Sequence, residues 1–168
     1  DLARPRRAEQ RPADLKKIIA QCGKLFAARS PAGVEVEARI EAELGWILTD
    51  DAMLRQVLDN LMSNALDALG EGGGRLSITA SIAERRLLIE VADTGPGIPP
   101  DLLTRVFEPF YTTKEVGKGS GLGLSISATL AENLGGTLTA HSEEGVGSRF
   151  LLWLPHRPLA EDFQFEAE

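Results

Sequence analysis

Cysteine is almost missing from this chain. Cys22 stands alone among 168 residues, so no internal disulfide can form. There are two histidines, and with a single cysteine they cannot furnish an ordinary His/Cys zinc site. No apolar run approaches the roughly 20 residues needed to cross a bilayer. No secretory leader is legible in the Arg-rich start. Positive charge is also short: 18 Lys and Arg against 25 Asp and Glu leave a net charge of −7. A general nucleic-acid binder needs a basic face to neutralise phosphates, so that class is excluded. One nucleotide held by a few local groups is not. A Gly-x-Ser-x-Gly elbow is absent, which removes the serine hydrolases built on it. The lack of disulfides suits the cytoplasm.

Enough remains for one folded domain with short tails: 43% of residues are hydrophobic and 26% charged. The charge is uneven. Residues 1–30 hold eight basic groups (Arg4, Arg6, Arg7, Arg11, Lys16, Lys17, Lys24, Arg29) against Asp1, Glu9 and Asp14. Residues 5–12 read as an extended linker bounded by prolines. Asp14 can cap a helix, in which Leu15, Ile18, Ile19, Cys22, Leu25 and Phe26 recur at helical spacing. Two short strands are expected at 34–40 and 46–49. Asp50 or Asp51 can cap the next helix, whose apolar stripe is Leu54, Val57, Leu58, Leu61, Met62, Ala65 and Leu69. A hairpin should turn at Glu84 and Arg85, and a short helix should follow near 101–106. Residues 108–121 read as a long functional loop. Beyond it come a helix over 122–134 and two strands at 137–141 and 149–154. The tail from 156 to 168 is acidic and expected to fray. This order lacks the alternation of a doubly wound sheet. It predicts an α+β, two-layer sandwich with helices on one face of a mixed, mostly antiparallel sheet.

Four segments carry chemistry. Asn60, Asn64 and Asp67 share one helix face apart from the apolar stripe. Asparagine forms helix poorly, and its carboxamide oxygen can ligate Mg²⁺; the three also suit a solvated polar face. Next, Asp93 ends an apolar strand and opens a turn containing Gly95 and Gly97. A carboxylate there can accept a hydrogen bond from an exocyclic amine, and the glycines can let a flat base come close. Asp-x-Gly is equally a common turn. In the third, Phe107, Phe110 and Tyr111 precede Thr112, Thr113 and Lys114; the aromatics can anchor a loop and the lysine can reach a γ-phosphate, or they are core and solvated charge. In the fourth, glycines recur at 117, 119, 121 and 123, around Ser120, Leu122 and Leu124, and lead into a helix. Free N–H groups and a helix N-terminus suit phosphate. Neither a P-loop nor a dinucleotide fingerprint is present.

Taken in order, these segments resemble the GHKL superfamily of ATP-binding domains, and within it the sensor histidine kinases. Residues 60–65 look like the N box, 93–97 the G1 box, 107–110 the F box and 119–123 the G2 box. Residues 145–150 resemble the closing Gly-Thr-x-Phe element, with Ser148 where Thr is usual. The resemblance spans roughly residues 12–155. The wording Glu-Pro-Phe-Tyr-Thr-Thr-Lys is most like the nitrogen-regulation and dicarboxylate-sensor branch.

The resemblance implies a Bergerat-type sandwich and a protein-histidine kinase that uses ATP and Mg²⁺. Asn64 would ligate the metal, with Asn60 supporting it. Asp67 and Ala68 would border the nucleotide, and Asp93 would hold the adenine amine. Gly95, Gly97 and Ile98 would line the base pocket, and Ser148 would also bind the nucleotide. Lys114 and the backbone of Gly119, Ser120, Gly121, Leu122 and Gly123 would embrace the phosphates under a lid, and Phe110, Thr112, Thr113 and Leu124 would also bind the nucleotide. The catalytic residues would be Asn60, Asn64 and Lys114. Gyrase-like and chaperone-like members carry a water-activating glutamate where this chain has Asn60, which cannot act as a general base. The implied partners are a dimerisation domain bearing the acceptor histidine and a response-regulator receiver domain. His141 and His156 have no suitable setting for the acceptor. Residues 1–12 would then be the linker from the dimerisation helices, 13–155 the catalytic domain and 156–168 the tail. The isolated chain is expected to be monomeric, cytoplasmic and without membrane contact of its own, whether or not its parent is anchored in the inner membrane. The rival readings are a GHKL ATPase or serine kinase, and a non-catalytic regulatory module.

Overall fold

The computed structural model describes residues 7–111 and 123–160. Strand β1 (Arg11–Asp14) leads straight into helix α1 (Leu15–Arg29), which Asp14 caps by accepting a hydrogen bond from the Lys17 N–H at 3.2 Å. Strands β2 (Val34–Ile40) and β3 (Trp46–Thr49) follow. Helix α2 (Asp51–Leu69) begins where Asp50 Oδ1 accepts from the Met53 N–H at 3.0 Å. A single 3₁₀ turn, Gly70–Gly72, ends it. Strands β4 (Gly74–Ala83) and β5 (Arg86–Asp93) form the expected hairpin, with Glu84 and Arg85 at φ 52° and 63°. The short helix α3 (Pro100–Leu103), helix α4 (Gly123–Asn133), and strands β6 (Thr137–Glu143) and β7 (Gly147–Pro155) complete the order.

The main sheet has five strands in the order β2-β4-β5-β7-β6. Only β2 and β4 run parallel; the other three pairings are antiparallel. Register aligns the inward residues in rows: Ile78, Val91 and Phe150 form one, and Ala80, Ile89 and Leu152 the next. All six are buried, and burying a side chain of the larger kind contributes roughly 1.5–3 kcal/mol. Helix α1 packs on β2 and β4, α2 on β4 and β5, and α4 on β6 and β7. Residues in the opposite phase, such as Thr79, Glu90 and Arg149, are not buried. The expected sandwich, with its helices on one face, is what forms.

Three details depart from expectation. Leu25 shares the helical spacing of the apolar stripe of α1 but is 48% exposed. The stripe centres on Leu15, Ile18, Ile19 and Phe26, and buried Gly23 brings its flank against Ala38 of β2. Leu25 therefore falls at the edge, away from the sheet. Arg11 and Pro12, expected in the linker, pair with Thr49 and Leu48 in a small second sheet. The expected tail joins the same sheet: Leu48 N–H donates to Arg157 O at 2.9 Å, and Leu159 N–H to Trp46 O at 3.0 Å. Pro158 between them has no N–H, but its neighbours supply the bonds.

Candidate functional site

Strand β5 carries its inward phase to its last residue. Leu87, Ile89 and Val91 enter the core, and two residues on Asp93 takes the same direction. Across the sheet it lies in a row with Leu76, Ser148 and Ser142. The apolar rows of the sheet thus end in a polar one, beneath the end of α2. Asp93 is 6% exposed and Ser148 5%. Asp93 Oδ1 accepts from the Gly95 N–H at 2.9 Å, closing a local turn. Burial raises the Asp93 carboxyl above its ordinary value, and backbone hydrogen bonds from Gly95 and Ser148 hold it partly back.

Gly95 abuts α2: a Cβ there would sit 2.9 Å from the Ala68 carbonyl oxygen and from Asp93 Oδ1. Gly97 has φ 76°, and its missing Cβ would meet the Glu143 carbonyl. The space left at both positions is taken by neighbouring backbone, so the turn's own packing requires glycine here. The Ile98 N–H donates to Ser142 Oγ at 2.7 Å, and the Gly145 N–H to Pro96 O at 2.8 Å. The turn of residues 93–98 is therefore clamped between α2 and the β6–β7 hairpin.

Asn64 lies one turn before Ala68 on α2, and Asn60 two turns before it, about 12 Å along the axis. Both are half-buried and Asp67 is exposed. Asn60 Nδ2 donates to Ser127 Oγ of α4 at 3.2 Å. Gly123 is exposed at the start of α4, and Leu124 packs partly against the core. Thr112, Thr113, Lys114, Gly119, Ser120, Gly121 and Leu122 lie outside the described residues.

The two phenylalanines at the start of the loop divide their work. Phe107 sets its ring edge-on to Phe150, centroids 6.2 Å apart, whereas Phe110 is 72% exposed at φ 67°. Phe110 anchors nothing in the core. Arg105 stacks on Tyr111 at 4.8 Å and pairs with Glu108 at 3.3 Å. His141 stands exposed on β6. A shallow groove lined by Gly33, Val34, Glu35, Gly74, Arg75 and Thr94 opens on the other side of Thr94. Its charges, Glu35 and Arg75, pair with each other at 3.6 Å. Among the described residues no group of three or more His, Cys, Asp or Glu side chains could hold a metal. A divalent cation here would need carboxamide and phosphate oxygens, a donor set that Asn64 and a nucleotide would supply.

Sequence reasoning missed Ser127 and Ser142. Periodicity could have found both. Leu124, Ser127, Ala131 and Leu134 follow helical spacing toward the core, and Leu138, Ala140 and Ser142 alternate inward on β6.

Residues 49–158 match the family described as histidine kinase-, DNA gyrase B- and HSP90-like ATPases. A solved catalytic domain of the histidine kinase ThkA superposes with a TM-score of 0.76 at 31% identity, over 88% of this chain and 95% of that one. This chain belongs to that family, as a histidine kinase catalytic domain. The full-length kinase ShkA, solved in complex with AMPPNP, matches 94% of the domain at 32% identity and a TM-score of 0.83, over 33% of its own length. The sensor kinase CckA of Brucella abortus is 38% identical over 92% of the domain. The domain spans only 18% of CckA. Among the described residues no helix is long and apolar enough to cross a membrane.

Proposed function

We propose that this histidine kinase domain binds Mg-ATP at the end of β5 and presents it to a phosphoacceptor histidine on a dimerisation domain of the same parent protein. The observation that carries the reading is Asp93, a buried carboxylate in a row of core positions, held by backbone N–H groups against the end of α2. Such a carboxylate stays buried at a cost that an amine-bearing base would offset. Asp93 takes the adenine amine, while Gly95, Gly97, Ile98 and Ser148 border the base. Asn64 ligates Mg²⁺, with Asn60, Asp67 and Ala68 beside it. Lys114, together with Phe110, Thr112, Thr113 and residues 119–124, covers the phosphates. Mg²⁺ when bound neutralises phosphate charge; the chain's own contribution is orientation and exclusion of water. Asn60 carries no base, which favours phosphotransfer over hydrolysis.

By the same reading, the residues before Arg11 lead in from the dimerisation helices, and the catalytic domain includes Arg11, Pro12 and residues 157–159, which join the small sheet around β3. A response-regulator receiver domain takes the phosphoryl group from the parent kinase, which belongs to the nitrogen-regulation and dicarboxylate-sensor branch. The domain works in the cytoplasm, monomeric when alone. Calorimetric titration of the chain with ATP, with and without Mg²⁺, tests the core of this. One-to-one, Mg-dependent binding that disappears in Asp93→Ala is expected. A wild-type chain that binds no ATP, or an Asp93→Ala variant that binds as well, overturns it.

A further inference from the structure

The turn that carries the base pocket has little to hold itself with, since residues 95–100 contain two glycines and three prolines. It is fixed from outside, and the β6–β7 hairpin does most of the fixing. Ser142 is the node. Its Oγ accepts the Ile98 N–H at 2.7 Å, donates to the Gly147 carbonyl at 3.1 Å and lies 2.9 Å from Ser148 Oγ. We propose that Ser142 is a positioning residue that sets base selectivity by dictating the direction of the Ser148 hydroxyl. This rests on the reading of Asp93 and Ser148 as base-facing groups.

A hydroxyl owns one hydrogen and two lone pairs. Ser142 spends its hydrogen on Gly147 and one lone pair on Ile98. Its remaining contact can be made only if Ser148 donates to it. The single hydrogen of Ser148 then points at Ser142, and only acceptor capacity is left on Ser148 Oγ. Its cross-strand neighbour in the same inward row is Asp93, which when ionised is also acceptor-only. Two acceptors side by side suit a base edge that carries N–H, as the amine of adenine does. They oppose a base that presents a carbonyl oxygen there, as guanine does. Without the Ser142 hydroxyl, the Ser148 hydrogen is free to turn and meet such a carbonyl. Ser142 thus controls which base is accepted without touching it.

The test is calorimetric titration with ATP and with GTP of the wild-type chain, Ser142→Ala and Ser142→Thr, with the thermal midpoint of each recorded. In Ser142→Ala the preference for ATP over GTP should fall about fivefold or more, the worth of one buried hydrogen bond. That fall should come from weaker ATP binding, with GTP binding held or improved. Ser142→Thr keeps the hydroxyl and should keep the wild-type ratio. Should Ser142→Ala unfold, Ser142→Cys, a weaker donor of similar bulk, is read in the same way. Equal loss for both nucleotides means that the turn has merely loosened, and overturns the proposal; so does an unchanged ratio. A wild-type chain that binds neither nucleotide brings down the base-pocket reading itself, and this role with it.

Discussion

Asn60 on α2 donates its side-chain N–H to Ser127 Oγ on α4, 67 residues away in sequence, at 3.2 Å. Ser127 is fully buried. The bond ties the helix proposed to hold the metal to the helix that follows the glycine-rich run. In the proposed reading, this leaves the carboxamide oxygen for a metal-bound water or a phosphate neighbour. Asn60→Ala should therefore slow phosphotransfer by the parent kinase more than tenfold, while Mg-free ADP binding by the chain stays within about twofold. A glutamate at 60 would restore an acceptor but not the donor to Ser127. Native-rate phosphotransfer in Asn60→Glu would remove the role assigned to this residue.

Asp93 predicts a pH dependence with a definite sign. Its folded carboxyl titrates above the ordinary value of 3.8, first because burial disfavours the charged form. The native state therefore holds this proton to higher pH than the unfolded chain does. The contribution of Asp93 to stability is fully present below 3.8 and is lost as pH rises through the raised value. Denaturant unfolding of the wild type and Asp93→Asn across that window should show the wild type losing ground as pH increases, then running parallel. Nucleotide binding should move the opposite way, failing as pH drops through the raised value, because the amine needs the ionised acceptor. Parallel stability curves throughout the window would contradict the assignment.

Much of this was legible in the primary structure because it is local. The cap at Asp14 and the stripe of α2 follow from residue type and spacing alone, and the same signals narrow the α2 cap to Asp50 or Asp51, of which the structure uses Asp50. The two-residue turn at Glu84 and Arg85 follows from the hydrophobic runs on either side of it. What was not legible depends on partners far along the chain. Alternation in Val34–Ile40 marks a strand but cannot say that it pairs parallel with β4. The prolines at 12 and 158 read as linker and tail, yet both lie in the small sheet around β3. Helical and strand spacing put Ser127 and Ser142 on inward faces, but that they bond to Asn60 and Ile98 is set only by the fold.

The hairpin turn offers a stability prediction independent of the site. Glu84 and Arg85 both adopt positive φ, which suits Asn and Gly and costs other residues about 1–2 kcal/mol each. Replacing the pair by Asn-Gly removes the exposed ion pair from Arg86 to Glu84 at 2.9 Å, and such pairs contribute little. The double substitution should raise stability by about 1 kcal/mol in urea unfolding. The turn lies at the far end of β5 from Asp93, about 23 Å away at strand rise. ATP affinity should not change, and a destabilised double variant would contradict the turn geometry.

Cys22 should be inert. Burial between α1 and α2, with Asp59 next in effect, pushes its thiol up to about 11, and Arg55 opposes only in part. The thiolate is the reactive form, so at pH 8 the native chain should label with a thiol reagent far more slowly than the urea-unfolded chain. Comparable rates would mean that the α1–α2 interface opens readily.

Gly97 supplies the sharpest test of how the proposed base pocket is built. Its φ of 76° is unfavourable for residues with a side chain, and a Cβ would run into the carbonyl of Glu143. Neither obstacle is the end of a flexible side chain, so the backbone of the turn or of the β6–β7 hairpin must shift. Gly97→Ala should cost about 2 kcal/mol or more in stability. It should also weaken ATP binding, because the shift strains the Ile98–Ser142 bond at 2.7 Å and the Gly145–Pro96 bond at 2.8 Å together. Gly145→Ala provides the contrast. Gly145 has a similar φ of 79° but open space around it, so only the backbone strain of about 1 kcal/mol applies. If the two variants lose equal stability and equal ATP affinity, the close approach of Gly97 to the hairpin is not what holds the turn, and the clamp described for residues 93–98 must be abandoned.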